Sequence, residues 1–448
     1  MDVLLDTIFA LSTPPGRSGV AVIRISGKNA AECLRYFGAP IGKPRLAQLV
    51  KLLDPAGHTV IDQALSIYFA APKSFTGEDV VELHVHGGRA IIASVLRHLS
   101  HIPGYRPADA GEFTRRAFDN GKLDLTEVEG LADLIDADTE FQRRQAMRQM
   151  SGELGQLYQG WQDQLIRCLA HFEAYLDFPD EEIPDDVYAK LQQNVAQIHR
   201  SIKVHLADNR RGERLRDGLF GAIIGLPNAG KSSLLNILAK RDVAIVSATA
   251  GTTRDVITVD LDVGGYPMTL ADTAGLRDGA DDIEIEGIRR TRATAQQADF
   301  KILVLDAGDQ HAVNDANLQQ LIDDNTLVVW NKSDLMSGTD ILPNMVHGRP
   351  AIQISSKTGY NLGSLLELLA QFAGAKMGMG ESPAITRIRH RQAIIEADDA
   401  ITRFVVAGMP ELAAEDLRSA VRAIGRILGK VDVEDLLDII FRDFCIGK

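Results

Sequence analysis

Residues 225–232 read Gly225-Leu226-Pro227-Asn228-Ala229-Gly230-Lys231-Ser232 and match the pattern G-x-x-x-x-G-K-[ST] of a phosphate-binding loop. A short apolar run, Leu219 to Ile224, precedes the loop, and a helical run, Ser233 to Ala239, follows it. This order of strand, loop and helix lets successive backbone N–H groups point at one phosphate group. We expect Lys231 to neutralise the β- and γ-phosphate oxygens and the Ser232 hydroxyl to bind Mg²⁺, a cation that prefers oxygen ligands.

A second motif predicts where the metal and the γ-phosphate are sensed. Asp272-Thr273-Ala274-Gly275 ends the apolar run Tyr266 to Ala271. An Asp at this position holds Mg²⁺ through water, and the Gly N–H can contact a γ-phosphate, so that the loop beyond it orders and releases with nucleotide state. Thr252 and Thr253 lie between the two motifs, and one of their hydroxyls is placed to reach Mg²⁺ when a γ-phosphate is present.

Two later motifs predict that the base is guanine. Asn331-Lys332-Ser333-Asp334 follows the apolar run Thr326 to Trp330. The carboxylate of Asp334 would accept hydrogen bonds from the ring N–H and the exocyclic amine of guanine, whereas adenine would leave that acceptor unpaired. Ser355-Ser356-Lys357 follows the next apolar run and fits a backbone contact to the guanine carbonyl. Together, and in this order, the motifs predict a GTP site.

The residue after the second motif raises the question of how GTP is hydrolysed. It is Leu276, where Ras-like enzymes place a glutamine that positions the attacking water. Leucine cannot orient water, so another group must do so, and Glu284 is the nearest attractive candidate; the alternative is that Glu284 belongs to a solvated acidic face. A further hypothesis is that the side-chain oxygen of Asn228, with loop carbonyls from Ser247 to Thr252, holds a monovalent cation in place of an arginine finger.

Composition limits the class of protein. The chain has 448 residues, which suggests about three domains, and its apolar fraction of 45% is ordinary for a globular protein. The formal charge of −13 argues against a general electrostatic grip on nucleic acid. Three scattered cysteines favour a reducing cytosol over a disulfide framework or a zinc site. We also expect no membrane span and no signal peptide, since apolar runs are short and the first residues are acidic.

The texture of the sequence predicts four segments. Residues 1–119 contain short β-branched runs such as Val20 to Ile25 and Val80 to Val85, with a helix from Ala90 to Leu99, and are predicted to form an α/β domain. Residues 120–215 and 379–448 show helical periods, and residues 216–378 alternate strands and helices as a parallel sheet does. We therefore expect the α/β segment 216–378 to be inserted into a helical domain.

Two details of the first helical segment give sharper expectations. Thr126-Glu127-Val128-Glu129 is interpreted as a capping box at a helix start. Apolar residues then recur at alternating spacings of four and three, which predicts one long helix with a single apolar seam, packed in a helical bundle rather than in a partner-binding coiled coil. The residues of this seam are Leu154, Tyr158, Trp161, Leu165, Cys168, Phe172 and Tyr175.

The whole chain resembles the bacterial tRNA modification GTPase family known as MnmE or TrmE. Besides the nucleotide motifs, the resemblance is carried by Thr13-Pro14-Pro15-Gly16-Arg17, Arg24-Ile25-Ser26-Gly27, Ser74-Phe75-Thr76-Gly77-Glu78-Asp79, His86-Gly87-Gly88, Gly111-Glu112-Phe113-Thr114, Arg116-Ala117-Phe118, Lys122-Leu123-Asp124-Leu125, Asp177-Phe178-Pro179-Asp180-Glu181-Glu182 and Phe444-Cys445-Ile446-Gly447-Lys448. The nucleotide motifs alone occur in many families, whereas their combination with the terminal peptide is specific to this one.

The resemblance implies an architecture and an activity. It implies an N-terminal α/β domain that binds tetrahydrofolate and dimerises, a helical bundle, and an inserted Ras-like P-loop G domain with a mostly parallel sheet. It implies a cytoplasmic homodimer that works with the FAD- and NADH-using partner MnmG. Together they add a carboxymethylaminomethyl or aminomethyl group to C5 of the wobble uridine of certain tRNAs, using a carbon of 5,10-methylenetetrahydrofolate, for which 5-formyltetrahydrofolate is an analogue.

The resemblance also implies roles for single residues. GTP hydrolysis in the family requires K⁺, which brings two G domains together, and Glu284 would position the attacking water. Ser232 and Thr253 would bind Mg²⁺, and the residues that would surround K⁺ are Asn228, Ser247, Thr249 and Thr252. The residues that would line the folate site are Arg24, Glu82, Lys122 and Lys448. The residues expected around GTP or GDP are Asn228, Ala229, Gly230, Lys231, Ser232, Ser233, Ser247, Ala248, Thr249, Ala250, Gly251, Thr252, Thr253, Asp272, Thr273, Ala274, Gly275, Asn331, Lys332, Asp334, Ser355, Ser356 and Lys357.

Two other functions compete with this one. A GTPase of ribosome assembly shares the nucleotide motifs, but it would carry a compact basic RNA-binding module, which the acidic charge balance and the N-terminal α/β region disfavour. A non-catalytic folate-binding scaffold is disfavoured by the intact phosphate-binding loop with Lys231 and by Asp272.

Overall fold

The computed structural model describes residues 6–57, 59–177, 185–241, 243–245, 257–272, 292–336, 342–378, 380, 382–406, 409–431, 434–442, 444 and 447. The chain divides into two compact units. Unit 1 comprises Met1–Ala132, Gln149–Leu169 and Leu417–Lys448, and unit 2 comprises Asp133–Arg148 and Ala170–Asp416.

The N-terminal part of unit 1 is a six-stranded sheet in the order β3-β4-β5-β2-β1-β6. Its neighbours pair antiparallel except β1 and β6, which are parallel. The strands are β1 Thr7–Leu11, β2 Ser18–Ser26, β3 Gln48–Leu53, β4 Val60–Phe69, β5 Val80–Gly87 and β6 Tyr105–Pro107. The two strands predicted from β-branched runs are therefore confirmed as β2 and β5, whereas β1, β3, β4 and β6 were not predicted.

Alternation along β5 explains how this sheet holds both a core and a site. Val81, Leu83 and Val85 are buried and pack with α1 (Glu32–Tyr36) and α2 (Arg89–Ser100) in one core. Successive side chains of a strand point to opposite faces, so Glu82 and His84 lie on the other face, where they are partly exposed. The predicted helix over residues 90–99 is confirmed as α2.

The capping box that precedes Leu125 is formed by other residues than predicted. Helix α3 spans Glu112–Asp119 and α4 spans Leu125–Ile135. The backbone N–H of Glu127 donates to Asp124 Oδ1 at 2.9 Å, and the N–H of Asp124 donates to Glu127 Oε2 at 2.8 Å. The prediction based on Thr126 and Glu129 was therefore wrong, because Asp124 takes the cap position and Thr126 instead donates its hydroxyl to Asp124.

The predicted apolar seam is confirmed within the residues described. Helices α5 and α6 span Glu140–Met150 and Glu153–Asp177. Six of the seven seam residues are buried, from Leu154 to Phe172; the side chain of Tyr175 lies outside the described residues. The later helices of the two helical segments are α7 Asp185–Leu206, α8 Arg211–Asp217, α12 Ile388–Val406, α13 Pro410–Leu428 and α14 Glu434–Arg442.

Unit 2 contains a seven-stranded sheet in the order β12-β13-β11-β10-β7-β9-β8. The central strands, from β13 to β9, pair parallel, and the outer pairs β12/β13 and β8/β9 are antiparallel. The strands are β7 Leu219–Ile224, β8 Ile257–Val263, β9 Tyr266–Asp272, β10 Phe300–Asp306, β11 Thr326–Asn331, β12 Met345–Val346 and β13 Arg349–Gln353. The predicted mostly parallel sheet is confirmed, with β8 and β12 as additions.

Helices and apolar clusters cover both faces of this sheet. Helices α9 (Lys231–Ala239) and α11 (Leu362–Met377) contribute to one cluster, which includes Ile223, Leu270 and Phe300. A second cluster on the other face contains Trp330 and Leu303 and receives the short helix α10 (Ala316–Gln319). Because parallel strands all end at one edge of a sheet, the loops after β7, β9, β11 and β13 meet there.

Candidate functional site

The phosphate-binding loop begins where β7 ends and closes at the first residue of α9. Gly230 precedes this helix with a φ of 97°, which residues with a side chain rarely adopt. A Cβ atom on Gly230 would clash with Nδ2 of Asn331. Gly230 therefore permits both the sharp turn of the loop and the close approach of Asn331. Asn228, within the loop, also has a positive φ of 64°.

Lys231 lies against the loop that its own motif forms. Its residue is 7% exposed, and its Nζ donates to the carbonyl oxygens of Gly225 and Leu226, both at 2.9 Å. The helix N-terminus adds a partial positive charge at the same place. A phosphate group in the loop would therefore meet the ammonium group of Lys231 and the N–H groups that begin α9.

Ser232 and Asp272 face each other beside the loop. Asp272 is the last residue of β9, which pairs parallel with β7 so that Asp272 lies opposite Ile223. The hydroxyl of Ser232 donates to Oδ2 of Asp272 in a short hydrogen bond. Asp272 is buried and Ser232 is exposed, so a ligand can reach this pair from the loop side. A hydroxyl and a carboxylate oxygen fit Mg²⁺, which binds few protein oxygens together with phosphate and water.

Asn331 connects the phosphate-binding loop with the guanine motifs. It is buried, and its Nδ2 donates to the carbonyl oxygen of Ala229 at 3.0 Å. Its Oδ1 accepts from the backbone N–H of Ser356 at 2.9 Å and from the Ser356 hydroxyl at 3.0 Å. One amide side chain thus holds together three segments that are far apart in sequence.

Asp334 and Ser355 form the edge at which a guanine base is expected. Ser355 donates its hydroxyl to Oδ1 of Asp334 at 2.6 Å, and the same hydroxyl accepts from the N–H of Thr358 at 3.1 Å. Asp334 is exposed, which leaves its second oxygen accessible to a base. Lys357, the last residue of the predicted contact, is exposed in the turn that follows.

Lys332 is held by a carboxylate from the neighbouring strand. Its Nζ lies 2.7 Å from Oδ2 of Asp306, the last residue of β10. Burial alone raises the pKa of Asp306, but the hydrogen bonds from Lys332 and from the N–H of Gly308 outweigh it and leave that pKa below the ordinary value. Asp306 was not predicted as a site residue from the sequence. The feature that could have identified it is its position at the end of a buried strand.

The remaining predicted nucleotide and metal residues lie outside the described residues. They are Ser247, Ala248, Thr249, Ala250, Gly251, Thr252, Thr253, Thr273, Ala274, Gly275 and Glu284. Of the predicted K⁺ ligands the structure describes Asn228, and of the predicted Mg²⁺ ligands it describes Ser232.

A second cluster lies in unit 1, on the face of the sheet opposite its core. Arg24 on β2 stands opposite Glu82 on β5, and its Nε and Nη2 donate to Glu82 Oε1 at 3.0 and 2.9 Å. The guanidinium carbon of Arg24 lies 5.4 Å from the ring centre of Phe75 and 5.8 Å from that of Phe113. Both charged side chains are about one-fifth exposed, at 22% and 18%. The cluster offers a cation, an acceptor and two flat apolar rings.

A buried ion network next to this cluster was missed by the sequence analysis. Nη1 of Arg116 donates to Glu78 Oε2 at 3.1 Å, and Nη2 donates to Glu112 Oε1 at 3.0 Å. Glu78 Oε2 also accepts from the Ser26 hydroxyl at 2.7 Å. The signal that could have found it is an arginine on the buried face of α3, since Arg116 is 3% exposed. Unpaired buried charges are costly, so these partners belong together.

Glu112 is the most strongly bonded carboxylate of that network. Arg106 donates to both of its oxygens, at 2.6 and 2.8 Å, and the N–H of Asp109 donates to it at 2.9 Å. Burial raises the pKa of Glu112, but these bonds and that from Arg116 lower it below its ordinary value. Glu112 therefore stays ionised and keeps Arg106 and Arg116 in place.

The other predicted folate residues lie in two places. Lys122 donates from Nζ to the carbonyl oxygen of Pro72 at 3.1 Å, in the segment that carries Phe75. Lys448 lies outside the described residues, as does Cys445, but Gly447 is described. Its carbonyl oxygen accepts from the Ser12 hydroxyl at 2.9 Å, directly after β1. Unit 1 thus brings Gly447 to its N-terminal sheet.

Two absences hold for the described part of the chain. No group of three or more His, Cys, Asp or Glu side chains is arranged there to hold a metal ion. His84 and His86 instead contact carboxylates: His86 Nδ1 lies 2.7 Å from Asp62 and His84 Nε2 lies 3.4 Å from Glu82. Every helix among the same residues is too short or too polar to span a lipid bilayer.

Comparisons with known proteins agree over nearly the whole chain. The family model described as MnmE helical domain matches residues 125–445, and the model described as GTP-binding protein TrmE N-terminus matches residues 7–122. The tRNA modification GTPase MnmE of Parvibaculum lavamentivorans is 55% identical, over 99% of this chain and 100% of that protein. The mitochondrial 5-taurinomethyluridine-[tRNA] synthase subunit GTPB3 of Danio rerio is 45% identical, over 99% of this chain and 93% of that protein.

Among solved structures, a point variant of Aquifex aeolicus Era bound to GDP.AlF4- is 23% identical, over 43% of this chain and 69% of that chain, with a TM-score of 0.29. A TM-score this low supports no conclusion about this chain. The family models and the close relatives, in contrast, confirm the resemblance that the sequence motifs carried.

Proposed function

Because this chain belongs to the MnmE/TrmE family of tRNA modification GTPases, we propose that it hydrolyses GTP and that this hydrolysis serves the modification of tRNA. The observation that carries the proposal is the bonding of Asn331 to Ala229 and Ser356. It supports a single pocket with phosphate-binding groups at one end and the guanine motifs at the other.

A direct experiment measures GTP turnover by the full chain and by Lys231→Ala. We expect turnover by the parent and its loss in the variant, because the positive charge facing the β- and γ-phosphates is removed. Asn236→Ala is the matched control, since Asn236 is exposed on the same helix and is not among the residues proposed around the nucleotide. Equal turnover in the parent and Lys231→Ala, or none in the parent, would contradict the proposal.

We propose GTP, GDP and Mg²⁺ as ligands of the site in unit 2. Lys231 would face the phosphates, Ser232 and Thr253 would hold Mg²⁺, and Asp334 would accept hydrogen bonds from the base. The bond between Ser232 and Asp272 supports this assignment, because both oxygens suit a hard divalent cation. When bound, the metal neutralises charge on the phosphate oxygens. The other residues proposed around the nucleotide are those named in the sequence analysis.

Hydrolysis is proposed to require K⁺ and the pairing of two G domains. Asn228, whose φ of 64° belongs to the tight loop, would supply an oxygen to the ion, with Ser247, Thr249 and Thr252. Glu284 would orient the attacking water, since Leu276 cannot. Turnover in KCl should exceed turnover in NaCl at equal ionic strength, and Asn228→Ala should reduce that difference. Equal rates in the two salts would remove the K⁺ proposal and leave GTP hydrolysis itself intact.

The N-terminal α/β domain, residues 1–119, is proposed to bind tetrahydrofolate and to form the homodimer. Arg24, Glu82, Lys122 and Lys448 would line the folate site. The position of Arg24 beside Phe75 and Phe113 supports a ligand with a flat ring and an anionic tail, as folates have. Bound 5,10-methylenetetrahydrofolate would supply the one-carbon unit, and 5-formyltetrahydrofolate would serve as its stable analogue.

The complete reaction is proposed to need a partner. With MnmG, which carries FAD and uses NADH, the chain would install an aminomethyl or carboxymethylaminomethyl group at C5 of the wobble uridine of certain tRNAs. Mass spectrometry of tRNA nucleosides from a deletion strain tests this. Loss of the modified uridines, restored by the parent gene and not by Lys231→Ala, is expected; unchanged uridines would contradict the role in tRNA modification.

We also propose domain boundaries and a location for the protein. We propose the N-terminal domain over residues 1–119, the helical domain over 120–215 and 379–448, and the inserted G domain over 216–378. We propose that the homodimer works in the cytoplasm. Fractionation of cells with an antibody against the chain tests the location, and sedimentation of the purified protein tests the homodimer.

A further inference from the structure

We propose that Phe141 is a positioning residue for GTP hydrolysis and that it acts through the hairpin formed by β8 and β9. The inference rests on the proposed GTPase function. It places a control point at the start of α5, which lies outside the predicted G domain 216–378 and carries none of the nucleotide motifs.

The hairpin connects the nucleotide site with a remote turn. β8 and β9 pair from Ile257 opposite Asp272 to Val263 opposite Tyr266. Asp272, at one end, holds the hydroxyl of Ser232. The turn Gly264-Gly265, at the other end, is ~24 Å from Asp272 along the chain, at about 3.4 Å per residue. A shift of the hairpin along its axis would therefore move Asp272 relative to the phosphate-binding loop.

Helix α5 begins on that turn. The backbone N–H of Phe141 donates to the carbonyl oxygen of Gly265 at 3.2 Å. The ring of Phe141 stacks on that of Tyr266, with centres 4.3 Å apart and planes at 28°. A Cβ atom on Gly265, whose φ is 90°, would lie 2.9 Å from the Phe141 ring, so glycine allows this approach. The turn thus satisfies a helix N–H that would otherwise lack an intrahelical partner.

The same helix also holds the segment that leads into the phosphate-binding loop. Gln142 donates from Nε2 to the carbonyl oxygen of Arg216 at 2.9 Å, and Gln145 donates from Nε2 to that of Gly212 at 2.9 Å. Both acceptors belong to α8, which is followed by β7 and the loop. Helix α5 is therefore bonded to α8, which leads through β7 to the loop and Ser232, and to the hairpin, in which β9 ends at Asp272.

The start of α5 is itself firmly fixed. Gln142 Oε1 accepts from the N–H and the hydroxyl of Thr139, both at 3.1 Å, which completes a capping box. Arg144 lies over the Phe141 ring, with its guanidinium carbon 5.6 Å from the ring centre. Phe141 thus contacts both Arg144 and Tyr266, and its contact with Tyr266 is the one that bears on the hairpin.

These contacts lead to a specific kinetic expectation. Loss of the Phe141 ring would loosen the hairpin, so that Asp272 would spend less time in the position that Ser232 and the metal require. The loop, Lys231 and Asp334 would still bind the nucleotide. We therefore expect the rate of GTP hydrolysis to fall while the affinity for the nucleotide is unchanged.

The experiment compares four variants of the full chain: Phe141→Ala, Phe141→Leu, Phe141→Tyr and Met147→Ala. Phe141→Leu keeps apolar volume without the stacked ring, and Phe141→Tyr keeps the ring. Met147 is 48% exposed on the same helix and serves as the control. Steady-state GTP turnover, GDP affinity and the urea midpoint are measured for each. We expect kcat to fall ~2- to 30-fold in Phe141→Ala and Phe141→Leu, the range for residues along a coupling network.

The expected pattern is specific to positioning. KM for GTP and GDP affinity should stay within about 2-fold of the parent values, and Phe141→Tyr should restore kcat. A parent-like kcat in Phe141→Leu, or a parallel loss of kcat, GDP affinity and urea midpoint, would overturn the positioning role. The absence of turnover in the parent would instead overturn the proposed GTPase function, on which this inference depends.

Discussion

Asn331 and Ala229 are joined by a hydrogen bond of 3.0 Å between the Asn331 amide and the Ala229 carbonyl oxygen, although 102 residues separate them in sequence. The same amide holds Ser356 through its oxygen. A buried donor that loses its partner costs about 1–3 kcal/mol, and Asn331 satisfies several such groups at once. The relationship makes Asn331 a structural element of the site as well as part of the guanine motif.

Asn331→Ala should therefore weaken nucleotide binding in general. We expect the affinity for both GDP and GTP to fall ~10- to 100-fold, because about 1.4 kcal/mol corresponds to a factor of ten and two bonded segments lose their common partner. Fluorescence titration with a labelled GDP measures this. Asn317→Ala, at an exposed position on α10, is the control and should bind as the parent does. Parent-like affinity in Asn331→Ala would refute this structural role.

Asp334→Asn should change the base that is preferred. The carboxylate accepts from two guanine donors, whereas an amide would present a donor to the exocyclic oxygen of xanthine. We expect GTP affinity to fall by ~100-fold or more and xanthosine triphosphate to become the better ligand. Competition binding with the two nucleotides is the measurement. Asp324→Asn, at a side chain that is 92% exposed, should leave the preference unchanged.

Ser232→Ala should raise the Mg²⁺ requirement. The variant removes the hydroxyl that Asp272 now holds and that is proposed to bind the metal. We expect the Mg²⁺ concentration for half-maximal GTP turnover to rise ~10-fold or more, in line with the loss of one ligand or its support. Asn236→Ala, at an exposed position on the same helix, should leave this concentration unchanged. An unaltered Mg²⁺ titration in Ser232→Ala would exclude Ser232 as a ligand.

Arg24→Met should reduce folate binding without affecting the nucleotide site. Arg24 lies over the rings of Phe75 and Phe113 and is bonded to Glu82 within unit 1. We expect the affinity for 5-formyltetrahydrofolate, measured by calorimetry, to fall ~10-fold or more, since a charge-assisted bond is lost. Arg35→Met, in an exposed pair with Glu32, is the control. GTP turnover should stay at the parent value in both variants.

His205 should make stability depend on pH. Burial lowers the pKa of His205 from 6.5 to about 4, so the folded chain holds this ring neutral. Because the unfolded chain binds the proton more readily, the stabilisation is present above pH 6.5 and is lost as pH falls toward 4. At pH 5 the loss is about 2 kcal/mol, from 1.36 kcal/mol per pH unit.

His205→Gln is expected to reduce that loss. Urea unfolding at pH 7.5 and pH 5 measures the difference for the parent and the variant. His171→Gln, at an exposed position on α6, should retain the full dependence of the parent. If His205→Gln loses as much stability between the two pH values as the parent does, another group is responsible.

The sequence predicted the parts of the fold that local chemistry determines. The apolar runs of β7, β10 and β11 are continuous because both faces of the sheet are covered, and the glycine-rich loop has a single common use. By contrast, β8 reads Ile257-Thr258-Val259-Asp260-Leu261-Asp262-Val263 and alternates as an outer strand does, so it escaped notice. Its pairing partner β9 was found because a motif followed it.

Site residues could be predicted where they belong to a sequence motif. They could not be predicted where segments distant in sequence come into contact. Asp306 holds Lys332 only because β10 and β11 are neighbours, and Glu78 meets Arg116 only because α3 packs beside the sheet. Phe141 carries no motif, and its contact with Tyr266 depends on tertiary packing. The misplaced capping box has a local origin instead, since Asp124 and Thr126, two residues apart, both offered a suitable oxygen.

Gln142 makes two hydrogen bonds, in one of which its side chain is the acceptor and in the other the donor. Its oxygen accepts from Thr139, and its nitrogen donates to the carbonyl of Arg216. Glutamate caps helices equally well elsewhere, but here a carboxylate would set a negative oxygen against that carbonyl. Gln142→Glu, a chemically conservative substitution, would thus repel α8 while leaving the start of α5 capped. Only an amide can bond to both neighbours.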